Sequence, residues 1–415
     1  MRSVAAFLSR SVGSRREAAR GTSVPERRPG AGAAFLLVLL AVLPYLNGLA
    51  AGFTFDDAVI VRDNPRLASP EKVGELFTTH YFGGPLATAK NYRPVVLLTY
   101  AVQRWTTGTD PFPFHAVNVA LHAATTLLLA AWLLALGMSR GPSLAAAALF
   151  AVVPIHVEAV TGVVGRAELL VALFVLASAL LFLRATDGLR LRTLPYAGAL
   201  AAFLAALFTK EHAVVLPGVV ALGELLRRDV GDPLAPRLRS KAPAFGGLLV
   251  PLAAFALVRA LFVGSGLLAR GSAFFDLDNP LAALPAPLRA ANALVLLLRY
   301  AGKTLVPLGL SADHSAPALD LVGSFFEPRS LAAVAGVAAL VAVGFAATRR
   351  LPLVALGVAL FLGAFLPTSN LFFPIGTVYA ERLAYLPSAG LLVAAAGLAA
   401  ALPRASAGFR QALLS

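Results

Sequence analysis

The sequence contains no cysteine and few charged residues. Only 13% of its 415 residues are charged, whereas an average soluble chain has roughly 25%. The absence of cysteine excludes disulfide bonds and thiolate metal ligands. Apolar residues make up 58% of the chain and recur in runs along its whole length. This composition excludes a soluble globular protein and predicts a protein that crosses the membrane several times.

Ten apolar stretches are candidate membrane spans. A crossing needs about 20 apolar residues, so the shorter stretches are expected to extend into polar flanks or to break inside the protein. A further stretch, 291–307, is interrupted by Arg299 and Lys303, and we interpret it as an interfacial or re-entrant helix. The predicted fold is an all-α polytopic membrane protein with a bundle of about ten to eleven transmembrane helices. The candidate spans are 33–50, 115–136, 142–155, 167–184, 195–208, 213–226, 244–262, 331–347, 352–366 and 385–402.

The distribution of basic residues predicts the orientation of these spans. Seven arginines in the first 32 residues place that tail in the cytoplasm by the positive-inside rule. A mitochondrial transit peptide is also Arg- and Ser-rich, but anchoring is sufficient to explain the tail. With alternating loops, the inner side carries 20 basic and 6 acidic residues, and the remainder of the chain carries 15 of each. Topology therefore explains the net charge of +14, and no nucleic-acid partner is expected.

The same topology divides the chain into domains. Residues 1–32 form a cytoplasmic basic tail, 33–402 a transmembrane domain, and 403–415 a second cytoplasmic tail. Segment 51–114 is too polar to span and predicts a long first outer loop, and 263–330 predicts an outer or re-entrant region. Fifteen of the 21 acidic residues and five of the six histidines fall in outer loops or at outer helix ends. We therefore expect the functional site on the outer face.

Two adjacent carboxylates, Asp56 and Asp57, follow the first span almost immediately. They are expected at the membrane surface, where lipid headgroups lie. Such a pair can bind a cation, act as a base with an orienting partner, or cap a helix. The neighbouring Phe53 and Phe55 indicate partial burial, which would raise the pKa of one carboxyl group.

Further charged clusters lie at the outer ends of the predicted spans. His156 and Glu158 lack the second histidine of a helical zinc site, so a hydrogen-bonded pair is the more common explanation. Charges at Lys210 and Glu211 interrupt two apolar runs and are costly unless they are paired or functional. No residue is assigned as a metal ligand, although a divalent cation can assist such a site. The candidate donor- or acceptor-binding residues are Arg93, His156, Glu158, Arg166, Lys210, Glu211, Glu381 and Arg382.

A carboxylate pair among several cations suits sugar transfer from a lipid phosphate. Phosphate leaves as an anion and needs no general acid, so one carboxylate as base and cations for the phosphate are sufficient. Glycoside hydrolysis instead needs two carboxyl roles. The outer residues with this asymmetry are Asp56 and Asp57 together with Arg93, Arg166, Lys210 and Arg382.

Seven segments of the sequence occur in a fixed order along the chain: FTFDDAVIV, NYRPVVLLTY, DPFPFHAVNVALHA, VPIHVEAVTGVVGRAELL, LFTKEHAVVL, LRYAGKTLVPLGLSADHS and SNLFFPIGTVYAERLAYLPS. In this order they resemble motifs of the transmembrane and tetratricopeptide-repeat O-mannosyltransferase family, a branch of the GT-C glycosyltransferases. The resemblance implies a GT-C-like bundle and a polyprenyl- or dolichyl-phosphate mannose donor. It also implies inverting transfer to Ser or Thr hydroxyls, with Asp56 and Asp57 as the catalytic motif and Asp56 as the base.

The partners and the location are expected from the same reasoning. The sequence departs from the family because it ends at Ser415 without tetratricopeptide repeats, and the repeats are either absent, lost or encoded separately. The expected partners are a polyprenyl-phosphate sugar donor, the lipid bilayer, a protein or glycan acceptor and a separate repeat protein. The alternative function is a non-enzymatic transporter of polyprenyl-linked sugars or lipids, whose coupling residues would lie near the membrane midplane. A structural assembly protein would leave the outer charges unexplained. The Ala-, Leu- and Arg-rich composition favours a bacterial inner membrane with a periplasmic active site over the endoplasmic reticulum.

Overall fold

A computed structural model describes residues 28–82, 91–188, 190–227, 234–264, 279–311, 314 and 319–402. Within these ranges the chain folds into helices without β-strands, which confirms the predicted all-α membrane fold. The tail 403–415, most of 1–32, and parts of 51–114 and 263–330 lie outside the described residues. The α-helices are α1 (Ala31–Val42), α2 (Val73–Thr78), α3 (Pro94–Thr107), α4 (Pro111–Ala135), α5 (Arg140–Val152), α6 (Val157–Thr161), α7 (Arg166–Ala185), α8 (Thr193–Thr209), α9 (Leu216–Leu226), α10 (Leu234–Gly247), α11 (Leu249–Val263), α12 (Ala286–Leu305), α13 (Pro328–Ala347), α14 (Pro352–Phe365) and α15 (Tyr385–Ala401).

Six helical segments in the described part of the chain are long and apolar enough to cross a membrane. A seventh candidate is the pair α5 and α6, which is bent by 51° where Pro154 interrupts the helix, because proline lacks the N–H that a helix needs. The shorter apolar helices Thr193–Thr209 and Pro352–Thr368 match two more predicted spans. The protein is thus a multi-pass membrane protein, and the count of ten to eleven crossings stays a prediction. The six segments are Ala31–Ala50, Pro111–Ala135, Val163–Ala185, Leu234–Phe262, Pro328–Ala347 and Glu381–Ala401.

Glycines allow the central helices to approach one another closely. A Cβ on Gly357 of α14 would lie 2.4 Å from the Gly390 carbonyl oxygen of α15. Small residues at such contacts favour helix association in membranes, where apolar burial alone does not drive it. Directly before α7, a Cβ on Gly165 would lie 2.2 Å from the Ala159 carbonyl oxygen. This contact fixes α6 against the start of α7.

The described part of the predicted first outer loop is folded, and it contains the buried Arg66. The Arg66 guanidinium donates to the His80 carbonyl oxygen at 2.8 Å and to the Tyr81 carbonyl oxygen at 2.7 Å. The Trp105 indole N–H of α3 donates to the Leu67 carbonyl oxygen at 3.0 Å. These hydrogen bonds satisfy backbone carbonyl groups that lie outside any sheet or long helix. They therefore give the described part of the loop a defined structure.

Helix α12 contains the ambiguous stretch 291–307 and does not qualify as a membrane-spanning helix. Near its end, Lys303 Nζ donates to Glu381 Oε1 at 3.0 Å. Shortly before its start, Asn279 Nδ2 donates to Asn370 Oδ1 at 2.8 Å. Both ends of α12 are therefore tied to the same segment between α14 and α15. The interpretation of 291–307 as an interfacial or re-entrant helix stays a prediction.

Cysteine labelling tests this topology on either side of α13. Because the sequence has no cysteine, the unmodified protein gives no background. If α12 does not cross, Asp320→Cys should react with a membrane-impermeant maleimide in intact cells, and Arg350→Cys should react only after permeabilisation. Labelling in the reverse pattern would mean that α12 crosses, and it would invert the later loops.

Candidate functional site

The two adjacent aspartates have different environments. The Asp57 side chain is 1% exposed, and its carboxylate accepts hydrogen bonds from the Val164 N–H at 2.8 Å and the Thr54 N–H at 3.2 Å. Burial raises the pKa of Asp57, and these backbone donors oppose the shift. Asp56 is exposed and has no hydrogen-bond or ion-pair partner among the described residues. Asp57 therefore anchors the first outer loop to the start of α7, and Asp56 keeps a free carboxylate.

The backbone is strained directly before the free carboxylate. Phe55 has a φ of +45°, which is rare for a bulky residue, and its ring is 77% exposed. Phe53 instead packs against Phe114, with ring centroids 5.5 Å apart. The expected partial burial of the pair therefore applies to Asp57, whereas Asp56 is exposed. Strained backbone of this kind is concentrated at functional sites in proteins.

Arg382, which lies directly before α15, forms an ion pair with Glu158. The Arg382 backbone N–H also donates to Glu158 Oε2 at 2.8 Å, which fixes both side chains. The Arg382 side chain is 33% exposed, and its guanidinium is within electrostatic range of Asp56 and Glu168. Arg382 is thus a partly accessible cation that shares one region with the free carboxylate.

Lys210 is buried against Glu168, which sequence reasoning did not assign to the site. Lys210 Nζ donates to Glu168 Oε1, and His212 Nε2 lies 3.6 Å from Glu168 Oε2. Burial lowers the pKa of Lys210. Burial also lowers the pKa of His212 to about 4, so His212 is neutral near pH 7. The Lys210 charge is therefore already compensated inside the protein.

Arg93 connects the first outer loop to the turn that follows α8. Its Nε lies 4.0 Å from Glu211 Oε2, and its guanidinium lies 4.9 Å from the centre of the Tyr81 ring. Glu211 Oε1 also accepts a hydrogen bond from the Tyr92 N–H at 3.2 Å. The charges of Arg93 and Asp56 both act on the buried Tyr81 hydroxyl, so Arg93 and Tyr81 lie near the free Asp56 carboxylate.

Two of the predicted binding residues are sequestered in the bundle. Arg166 is buried, and its guanidinium donates to Asn118 Oδ1 at 2.9 Å and to the Phe114 carbonyl oxygen at 3.1 Å. His156 is buried, with Nε2 2.7 Å from Ser388 Oγ. Neither side chain reaches the exposed face, so direct ligand contact would require rearrangement.

Glu381 belongs to a second cluster and does not pair with its neighbour Arg382. Its Oε1 accepts hydrogen bonds from Lys303 Nζ at 3.0 Å and from the Ser311 N–H at 3.0 Å, and it lies 2.8 Å from His314 Nε2. Spacing along the sequence gives no signal for this cluster, because its members come from α12, the loop after it and the start of α15.

The structure therefore brings most of the predicted residues to one region, where the exposed Asp56 carboxylate lies within electrostatic range of the partly accessible Arg382 guanidinium. Such a region can accept a proton and hold an anion. No group of three or more His, Asp or Glu side chains in the described ranges can hold a metal ion. Asp56, Arg93, Glu158, Lys210, Glu211 and Arg382 converge there, together with Tyr81, Glu168 and His212.

The chain is similar to curated animal proteins along most of its length. It is 31% identical over 385 residues to mouse protein O-mannosyl-transferase TMTC3, an alignment that covers 86% of this chain and 41% of the relative. It is 31% identical over 416 residues to human protein O-mannosyl-transferase TMTC1, with 90% and 47% covered. For the Caenorhabditis elegans protein O-mannosyl-transferase F38B6.6, the identity is 28% over 362 residues, with 86% and 49% covered. The chain thus spans about half the length of these relatives. No family model and no solved structure matches it.

Proposed function

We propose that this chain, which belongs to a TMTC-like family, is a membrane glycosyltransferase that transfers mannose from a polyprenyl-phosphate donor to an acceptor hydroxyl. The observation that carries the proposal is the free carboxylate of Asp56, which lies within electrostatic range of the Arg382 guanidinium. The names of the relatives support the sugar and the protein acceptor. The lipid donor rests on the charge pattern of the site and on the family resemblance, and the inverting stereochemistry rests on the resemblance alone.

In the proposed reaction, Asp56 acts as the base. The acceptor hydroxyl gives its proton to the Asp56 carboxylate while its oxygen attacks the anomeric carbon of the sugar. The bond between that carbon and the phosphate oxygen breaks, and the phosphate leaves with the electron pair. Because the hydroxyl attacks the face opposite to the phosphate, the configuration at the anomeric carbon inverts.

Partly accessible guanidinium groups stabilise the phosphate in this scheme. Arg382 and Arg93 are held in place by Glu158 and Glu211, and each keeps part of its side chain accessible. Arginine presents a planar set of donors that matches phosphate oxygens. Lys210 supports the site through its buried pair with Glu168, so its role in the proposal is structural.

The acceptor and the location complete the proposal. We assign a protein Ser or Thr hydroxyl as the acceptor, presented by a separate tetratricopeptide-repeat protein, and we place the site on the outer face of the membrane. The relatives named above come from animals. A bacterial inner membrane with a periplasmic site therefore rests on the composition of the sequence alone.

A donor assay tests the proposed function directly. The purified protein in lipid nanodiscs should transfer mannose from polyprenyl-phosphate mannose to Ser/Thr peptides and should ignore GDP-mannose, because the proposed site takes a lipid phosphate. The assay is run with and without EDTA to measure any need for a divalent cation. Turnover of GDP-mannose in the absence of a lipid carrier would contradict the proposal. Movement of the lipid-linked sugar across the bilayer without transfer would favour the transporter.

A further inference from the structure

The face of helix α12 that packs against the rest of the protein carries three polar residues. Asn292, Arg299 and Lys303 are separated by seven and four residues, a spacing that puts them on one face of a helix. Asn292 is buried and donates to the Val322 carbonyl oxygen at 3.1 Å. Lys303 is buried against Glu381. Arg299 lies between Asn292 and Lys303 on the same helix face. Its side chain therefore also points toward the rest of the protein.

No carboxylate in the described ranges pairs with the Arg299 guanidinium. It is half-buried and lies 5.3 Å from the centre of the Tyr379 ring, and it makes no hydrogen bond or ion pair with any residue in the described ranges. Its neighbour Lys303, by contrast, is compensated by Glu381 at 3.0 Å. An uncompensated cation in a partly desolvated position is costly, so such a position calls for an anion.

The Tyr379 hydroxyl provides an independent observation, because it lacks a hydrogen-bond acceptor among the described residues. Tyr379 is 2% exposed, and its hydroxyl has no hydrogen-bond partner among the described residues. The ring is fixed by stacking on Tyr300, with centroids 4.1 Å apart. Burial raises the pKa of Tyr379, so the hydroxyl keeps its proton and remains a donor. Buried donors are nearly always satisfied in proteins, which indicates that an oxygen acceptor binds here.

This position borders the proposed active site. The charges of Glu381, Arg299 and Glu158 all act on the Tyr379 hydroxyl, and Glu158 is the ion-pair partner of Arg382. Arg299 and Arg382 therefore approach the same region from α12 and from the start of α15. A group bound between them would be held by donors from two sides.

We infer that Arg299 and the Tyr379 hydroxyl form a subsite for a phosphate group carried by a membrane lipid. A phosphate supplies both the negative charge that Arg299 lacks and the oxygen acceptor that Tyr379 lacks. The inference rests on the proposed function, and it assigns the phosphate to a residue pair that the charge pattern of the sequence did not favour. The lipid is either the polyprenyl phosphate of the sugar donor or an anionic phospholipid.

Direct binding of sugar-free polyprenyl phosphate tests the subsite independently of transfer. Affinity is measured by native mass spectrometry of the protein in phosphatidylcholine nanodiscs. Arg299→Ala should weaken binding by about 10- to 100-fold, the usual effect of a lost hydrogen bond to a charged group. Arg299→Lys should restore part of the affinity, and Tyr379→Phe should cause a smaller loss. Arg350→Ala, on the predicted inner side, is the matched control and should bind like the unmodified protein.

Competition with phosphatidylglycerol distinguishes the two lipids. If the subsite takes the donor phosphate, excess phosphatidylglycerol should leave polyprenyl phosphate bound, whereas displacement would assign the subsite to a phospholipid. Unchanged affinity in both Arg299→Ala and Tyr379→Phe, in a protein that still transfers mannose, would overturn the subsite and leave the proposed function intact. Loss of binding in Arg299→Ala, with no transfer by the unmodified protein, would support the subsite and reject the transfer. Arg299→Lys serves as the test variant if Arg299→Ala does not fold.

Discussion

Replacing Asp56 by asparagine should reduce mannose transfer by about 10² to 10⁴, the usual contribution of a general base, while donor binding is retained. The substitution keeps the size of the side chain but removes the proton acceptor. Because Asp56 is exposed and makes no hydrogen bond in the described structure, its loss should leave the fold unchanged. The measurement is single-turnover transfer together with donor affinity and melting temperature.

Asp57→Asn is the matched control for this prediction. The Asp57 carboxylate accepts backbone N–H bonds from two segments, and an amide nitrogen in place of one oxygen would meet a donor with a donor. Its main effect should therefore be a lower melting temperature, with a smaller loss of transfer. Equal, small losses of transfer in both variants would mean that Asp56 is not the base.

Replacing Glu168 by glutamine should destabilise the protein by about 3 to 5 kcal/mol, because it leaves the Lys210 ammonium buried without a counter-charge. Both side chains are almost completely buried, and the neighbouring neutral His212 supplies no negative charge to replace that of Glu168. The expected result is a large fall in melting temperature, measured in detergent or nanodiscs.

The double variant Glu168→Gln with Lys210→Met separates charge from packing. Removing both charges should recover much of the stability, since an unpaired buried charge costs more than an apolar replacement of the pair. A Glu168→Gln protein with unchanged melting temperature would contradict the structural role of this pair. Lys210 would then be available to bind phosphate, as the charge pattern of the sequence suggested.

The sequence by itself determined the class of the protein and the location of its acidic pair. Long apolar runs and scarce charge require a helical membrane fold, because backbone groups in lipid must be bonded within each segment. The position of Asp56 and Asp57 directly after the first span, and the interruption of 291–307 by two cations, are also properties of a short stretch of chain. Both features depend only on residues that are close to one another in the sequence.

Only the tertiary structure decided which charges are free. Glu158 pairs with Arg382 across 224 positions, and Glu168 pairs with Lys210 across 42. Neither helical periodicity nor composition specifies such contacts, because they depend on how separate helices pack. The same packing buries Asp57 under α7 and leaves Asp56 exposed, although the two residues are identical and adjacent. The free energy of a charge depends on its burial and its partners, and both are fixed only when the bundle closes.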